Sequence, residues 1–151
     1  MSEFYLEDLH VGARFESDAF HVTEDDIIAF ARAFDPQPFH LGAEAAKQSV
    51  FRDLVASGWH TAAMTMKLFV TGGLRLVGGS VGLGVDDLRW PRPVRPGDTL
   101  RLQTEIMEIR PSRSKPDRGI IRIRNTTTNQ NGEVVQTFFA SVLVRRRTGN
   151  A

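Results

Sequence analysis

Cysteine is absent from this chain, which removes disulfides, a thiol nucleophile and thiolate metal sites from consideration. Long hydrophobic runs are missing as well. The strongly apolar stretch Trp59 to Val70 would measure about 18 Å as a helix, too short to cross a bilayer. Neither sign of charge is in excess: 19 basic and 18 acidic residues leave a formal net charge of +1, which argues against general attraction to nucleic acid or membrane surfaces. Internal repeats, low-complexity tracts and linker-like segments are also lacking, so the 151 residues are expected to form one domain, 1–151, around one sizeable core. Met1 to Asp8 is acidic and has no apolar run of the kind a signal peptide needs. A cytoplasmic location is the corresponding expectation.

What is present reads as one helical half followed by strands. The segment from Ala13 to His21, after a Val11-Gly12 turn, reads as a strand. Thr23 with Asp26 then gives a helix-start pair, and Glu24 and Asp25 add acidic charge to the first turn, where it complements the helix dipole. Ile27, Ile28, Phe30, Ala31 and Phe34 follow at helical spacing and run straight into Asp35-Pro36. A short helix is predicted over Ala43–Gln48 and a connecting loop over Val50–Ala56. From Trp59 to Val70 apolar residues cover most of the helical circumference, which predicts burial on nearly all sides, and Gly72-Gly73 supplies the stop.

The remaining sequence predicts strands over Ser80–Trp90, Thr99–Ile109, Gly119–Thr127 and Val134–Val144, punctuated by turns at Arg95-Pro96-Gly97-Asp98 and Asn131-Gly132. Gly82-Leu83-Gly84 lies in strand-like sequence with no helix after it, so a bulge explains it better than a dinucleotide-binding turn. Five or six mainly antiparallel strands around one apolar helix define an α+β architecture.

Two places could carry chemistry. Asp35 and His40 put a carboxylate and an imidazole five residues apart in a segment broken by Pro36 and Pro38. Extended, that spacing would hold them roughly 16 Å apart, so they cooperate only if the loop curls. Ser57-Gly58 immediately precedes the apolar helix. Ser57 is a candidate cap, and the Gly58 and Trp59 N–H groups would be free donors at the positive helix end. Gly58 would let a ligand oxygen approach closely, as the oxygen of a thioester enolate requires. Each feature alone has an ordinary structural explanation.

In order along the chain, Asp35-Pro36-Gln37-Pro38-Phe39-His40, then Ala56-Ser57-Gly58-Trp59, then Leu88 to Asp98 resemble the MaoC-like dehydratases, which include R-specific enoyl-CoA hydratases. The resemblance covers about residues 10–145. It implies a hot-dog fold, a curved antiparallel sheet wrapped around a long helix, usually in a homodimer or higher homo-oligomer. It also implies reversible syn addition of water to a trans-2-enoyl thioester. On these positions Asp35 and His40 become the catalytic pair and Gly58 the backbone oxyanion donor, while Phe34, Gln37, Phe39, Ser57 and Trp59 are placed against the substrate. No cofactor or metal is implied, since coenzyme A is part of the substrate, and nucleic acid and membrane partners are not expected. Three positions depart from the family signature: Phe34 replaces Gly, Gln37 replaces Asn, and Ala63 stands where some members have Ser.

A thioesterase on the same fold would direct water at C1 instead of C3, and a non-catalytic acyl-CoA-binding subunit would keep the motif with Phe34 filling the pocket. His60 reads as a core or edge histidine, and His10 and His21 have no partner at metal-ligand spacing. Trp59 and the Met64/Met66 region are candidates for an acyl pocket, with core packing the stronger reading. Basic residues gather at Arg89, Arg92 and Arg95, at Arg110, Arg113 and Lys115, and at Arg145 to Arg147. Arginine geometry suits phosphate, but solvated surface charge accounts for each cluster, and the last reads as a solvated tail.

Overall fold

The computed structural model describes residues 2–147. Helix α1 (Glu24–Phe34) begins where Thr23 Oγ1 accepts the Asp26 N–H at 3.2 Å, with Glu24, Asp25 and Asp26 in its first turn. It ends at Asp35, whose φ of −150° and ψ of 67° leave helical space ahead of Pro36. The proline-broken segment is not wholly extended. Pro38 opens a helical turn, α2 (Pro38–Leu41), in the first position where its missing N–H costs nothing. A further turn, α3 (Ala43–Ala46), and a loop lead to α4 (Gly58–Thr71), the long central helix.

The strand predicted over Ala13–His21 is two pieces, β1 (Arg14–Glu16) and β2 (Phe20–His21). Ser17 causes the break: its Oγ accepts the Leu102 N–H at 2.8 Å while its own N–H donates to Leu102 O at 2.9 Å, so side chain replaces backbone in the ladder. Strands β3 (Val81–Arg89), β4 (Thr99–Pro111), β5 (Arg118–Thr128) and β6 (Val134–Arg145) follow. The sheet runs β1-β4-β5-β6-β3, with β2 also on β4, and every pairing is antiparallel. A six-stranded antiparallel sheet with α4 laid across it is the hot-dog arrangement, in the α+β class. The β3–β6 register shifts between Gly82 and Gly84, the bulge expected there.

The core lies between α4 and the sheet. Met64, Leu68 and Phe69 of the helix meet Leu100, Leu102 and Ile106 of β4, Ile121 and Ile123 of β5, and Val135 and Val142 of β6. Burying each large aliphatic side chain contributes about 1.5–3 kcal/mol. The polar groups caught in this layer satisfy one another: Gln136 Nε2 donates to Thr65 Oγ1 at 3.0 Å, and Thr65 Oγ1 lies 2.8 Å from Thr127 Oγ1.

Two expectations are corrected. Helix α4 is covered on one side only: Trp59, Met66 and Val70 are exposed, because the sheet curves over a single face. Its other apolar face is unpartnered among the described residues. The arginines at the end of β6 are not a free tail, since Arg146 pairs with Glu7 at 2.9 Å and Arg147 with Asp8 at 2.6 Å, tying the last strand to the N-terminal turn. Among the described residues no helix is long and apolar enough to cross a membrane.

Candidate active site

The end of α1 and the start of α4 converge, and the loop between them curls back on itself. Gln37 N–H donates to Asp35 O at 2.8 Å and His40 N–H to Gln37 O at 2.9 Å. These two turns bring His40 Nε2 to 3.4 Å from Asp35 Oδ2, closing a spacing that extended chain would hold far apart. The other ring nitrogen, Nδ1, lies 2.6 Å from Val55 O. A carbonyl only accepts, so Nδ1 carries a proton, and a neutral ring then presents the Nε2 lone pair toward Asp35. His40 is buried, and its orientation is set by backbone.

Asp35 is held on both oxygens. Gln37 Nε2 donates to Oδ1 at 2.6 Å and Ser57 Oγ donates to Oδ2 at 2.7 Å. Burial works to raise its pKa; the hydrogen bonds from Ser57 and Gln37, joined by the charge of His40 when its ring is protonated, outweigh that and hold the carboxyl below its ordinary 3.8. The carboxylate form, and the stability its contacts give, is therefore present above the ordinary value and lost as pH falls through the lowered one.

Ser57 also caps α4, accepting the Trp59 N–H at 3.2 Å. Of the two donors expected to be free, this cap takes Trp59 and leaves Gly58. The Gly58 N–H has no acceptor among the described residues, and it sits at the positive end of a 14-residue helix. Gly58 must lack a side chain for a steric reason too: a Cβ there would fall 2.6 Å from Trp90 Cε2. The Trp90 indole is fixed in turn, its Nε1 donating to the buried Gln136 Oε1 at 2.8 Å.

Ser57→Ala should move the Asp35 titration to higher pH, since one of the bonds favouring the carboxylate is gone. It should also cost roughly 0.5–2 kcal/mol through the lost cap. A carboxyl ¹³C titration checks the first effect; an unchanged or lower Asp35 pKa would contradict the assignment of Ser57 as its donor.

A cavity of about 530 Å³ opens on this constellation, lined by Asp35, Gln37, Phe39, His40, Gly58 and Trp59. Two residues expected against the substrate do not line it. Phe34, 75% exposed, packs on Phe30 at 5.2 Å as the last residue of α1. Ser57 is fully buried, with its hydroxyl committed to Asp35 and the helix cap, so it supports the cavity from behind. Ala63 is exposed on α4 and also lies off the cavity. Met64 is core and Met66 is exposed. His60 is buried and stacks on Phe30 at 4.7 Å, with Nδ1 unpartnered among the described residues. Burial holds its pKa below the ordinary 6.5 against the opposing pull of Asp26.

Other wall residues were not singled out as site residues from the sequence, notably Phe51, Thr61, Trp90 and Val94. Trp90 had a signal, a bulky aromatic between a strand and a proline run; its contact with Gly58 is tertiary and could not be read from spacing. Among the described residues, no group of three or more His, Cys, Asp or Glu is placed to hold a metal ion.

Sheet, helix and site together define a hot-dog domain with a carboxylate–imidazole pair at the N-terminus of its central helix. Residues 9–129 match the MaoC-like domain family, and the chain belongs to that family. A crystal structure of a MaoC-like dehydratase from Rhodospirillum rubrum is 53% identical, with a TM-score of 0.92 over 97% of this chain and 99% of that one. Uncharacterized protein YdeM of Bacillus subtilis is 31% identical over 141 residues, 93% of this chain and 99% of its own. An (R)-specific enoyl-CoA hydratase of Rhodospirillum rubrum is 29% identical over 144 residues, covering 95% and 93% of the two chains.

Proposed function

We propose that the protein is an (R)-specific enoyl-CoA hydratase, equally a 3-hydroxyacyl-CoA dehydratase, with Asp35 and His40 as the catalytic pair and Gly58 N–H as oxyanion donor. The observation that carries this reading is the meeting of three groups at one cavity: an ionised carboxylate, an imidazole 3.4 Å away and a free helix-end N–H. The named activity of the hydratase relative agrees with it.

In the hydration direction a water on the cavity side bridges Asp35 Oδ2 and His40 Nε2. As its oxygen bonds to C3, Nε2 takes one of its protons, and the C2–C3 π pair moves toward the thioester carbonyl. The charge developing on that oxygen is stabilised by Gly58 N–H, a fixed donor that needs no reorganisation. The enolate then takes a proton at C2 from the pair on the same face, which restores both groups and gives net syn addition of one water. Gln37 and Ser57 keep Asp35 in place, and Phe39 and Trp59 lie against the acyl thioester. The chemistry draws on no resident cofactor, coenzyme A entering with the substrate. A single domain over 1–151 acting in the cytoplasm on acyl thioesters, without nucleic acid or membrane partners, completes the proposal.

The reverse reaction tests configuration. Supplied separately with (R)- and (S)-3-hydroxybutyryl-CoA, the enzyme should generate the conjugated enoyl absorbance from the R isomer alone; equal rates, or preference for S, would overturn the stereochemical reading.

The same proposal includes a homodimer. Edge strand β3 exposes Val81, Leu83 and Val85, and α4 exposes Trp59, Met66 and Val70. Apolar side chains along an unpaired strand edge favour a second strand there. Sedimentation should give the mass of two chains, or a multiple of two, at micromolar concentration, and Leu83→Asp should shift it to one. A wild-type protein sedimenting as one chain would contradict this.

A further inference from the structure

We propose that Arg92 is the phosphate-recognition residue of this site, binding a phosphate at the far end of the substrate's pantetheine arm. The inference rests on the thioester reading above and deepens it.

The sequence offers three clusters of basic residues with nothing to choose between them; the structure separates one residue from the rest. Among the described residues, Arg92 is the only lysine or arginine that lines the cavity. Arg89 and Arg95 flank it in sequence but do not line the cavity, and they are engaged elsewhere, with Asp87 at 2.7 Å and Asp53 at 3.1 Å. Arg92 sits between Pro91 and Pro93, which also line the cavity and restrict the backbone beneath it. The segment is anchored to the site itself, since Ala56 N–H donates to Val94 O at 2.8 Å, two residues before Gly58. Its side chain therefore starts from a fixed point at the cavity rim, with 60% of its surface in solvent.

The guanidinium is also available. Its partner, Glu133 at 3.0 Å, is itself more than a third exposed, and an ion pair of that kind is weak and easily exchanged. Glu133 keeps a second partner, Asn129 Nδ2 at 3.0 Å, so it is not stranded when Arg92 leaves. The cavity's own fixed charge is the Asp35 carboxylate, which opposes an approaching anion. A planar guanidinium at the rim offsets that repulsion and matches phosphate oxygens in geometry. An arm long enough to carry the phosphate out of the reacting end brings it to the rim, where Arg92 stands.

Three crotonyl thioesters test this: of pantetheine, of phosphopantetheine and of coenzyme A. Arg92→Gln should raise KM about tenfold for the two phosphorylated substrates, with kcat nearly unchanged and no shift for the pantetheine thioester. Glu133→Gln, which frees the guanidinium, should lower KM for the same two. An Arg92→Gln effect confined to the coenzyme A thioester would support the residue and assign it to the nucleotide's phosphates. Equal KM shifts for all three substrates, or none for any, would overturn the proposal. Failure of the wild type to hydrate any of them would instead overturn the thioester-hydration reading on which it rests.

Discussion

Asp35→Asn is expected to lower kcat for enoyl-thioester hydration by roughly 10²–10⁴-fold, the range associated with loss of a positioned acid/base group. The side chain keeps its shape, and its amide oxygen can still accept one of the hydrogen bonds that now come from Gln37 and Ser57. What it loses is the negative charge facing His40. In the proposed mechanism the carboxylate has two tasks: it holds the attacking water, and it stabilises the imidazolium formed when Nε2 takes a proton. An amide does the first poorly and the second hardly at all. Far-ultraviolet dichroism and the melting curve should stay close to wild type, because the position is at a loop and the replacement is isosteric. A folded variant retaining more than a tenth of wild-type turnover would show that Asp35 is not part of the machinery.

His40→Gln should fall in the same range of roughly 10²–10⁴. Glutamine has an amide donor to offer the Val55 carbonyl, so the buried acceptor need not be left bare, but it has no basic nitrogen to take the water's proton. The double variant Asp35→Asn/His40→Gln is the sharper comparison. Residues that act as a unit are grossly non-additive, so its rate should lie within a few-fold of the slower single variant. Multiplicative losses would mean that the two residues act separately, and that the 3.4 Å approach is incidental.

Much of the frame was legible because it is written in local pattern. Thr23 with its acidic first turn, Asp35-Pro36 and Gly72-Gly73 set helix boundaries through groups close in sequence. The alternation Ile121, Arg122, Ile123, Arg124 specified a strand with one buried face. The early strand was misread because Ser17 enters the ladder through its side chain, an interaction with Leu102 that lies 85 positions away. Helix α4 was misread for a different reason: an apolar circumference predicts burial but does not say by what. One face meets the sheet, and the other is uncovered among the described residues.

At the site the pattern is similar. Asp35, His40 and Gly58 could be named from proline punctuation, helix-start chemistry and family resemblance. Ser57 could be named as the helix cap but not as a donor to Asp35, because that bond reaches a carboxylate 22 residues earlier in the chain. Nor could the absence of Phe34 from the cavity wall, which depends on where the last turn of α1 points. Trp90 and Arg92 reach the cavity on a segment before β4 that is pinned to Ala56 through Val94. Charge counting could not separate Arg92 from its neighbours; position in the fold does.

The central claim is that water is added at C3 of an enoyl thioester through Asp35 and His40. It is tested most directly by adding the purified protein to crotonyl-CoA and following the conjugated enoyl absorbance, with free thiol assayed in parallel and Asp35→Asn as the control. The account predicts loss of absorbance without thiol release in the wild type, and almost none in the variant. Stoichiometric thiol release would contradict it and make the protein a thioesterase. Absorbance loss at equal rates in wild type and variant would contradict the assignment of the pair.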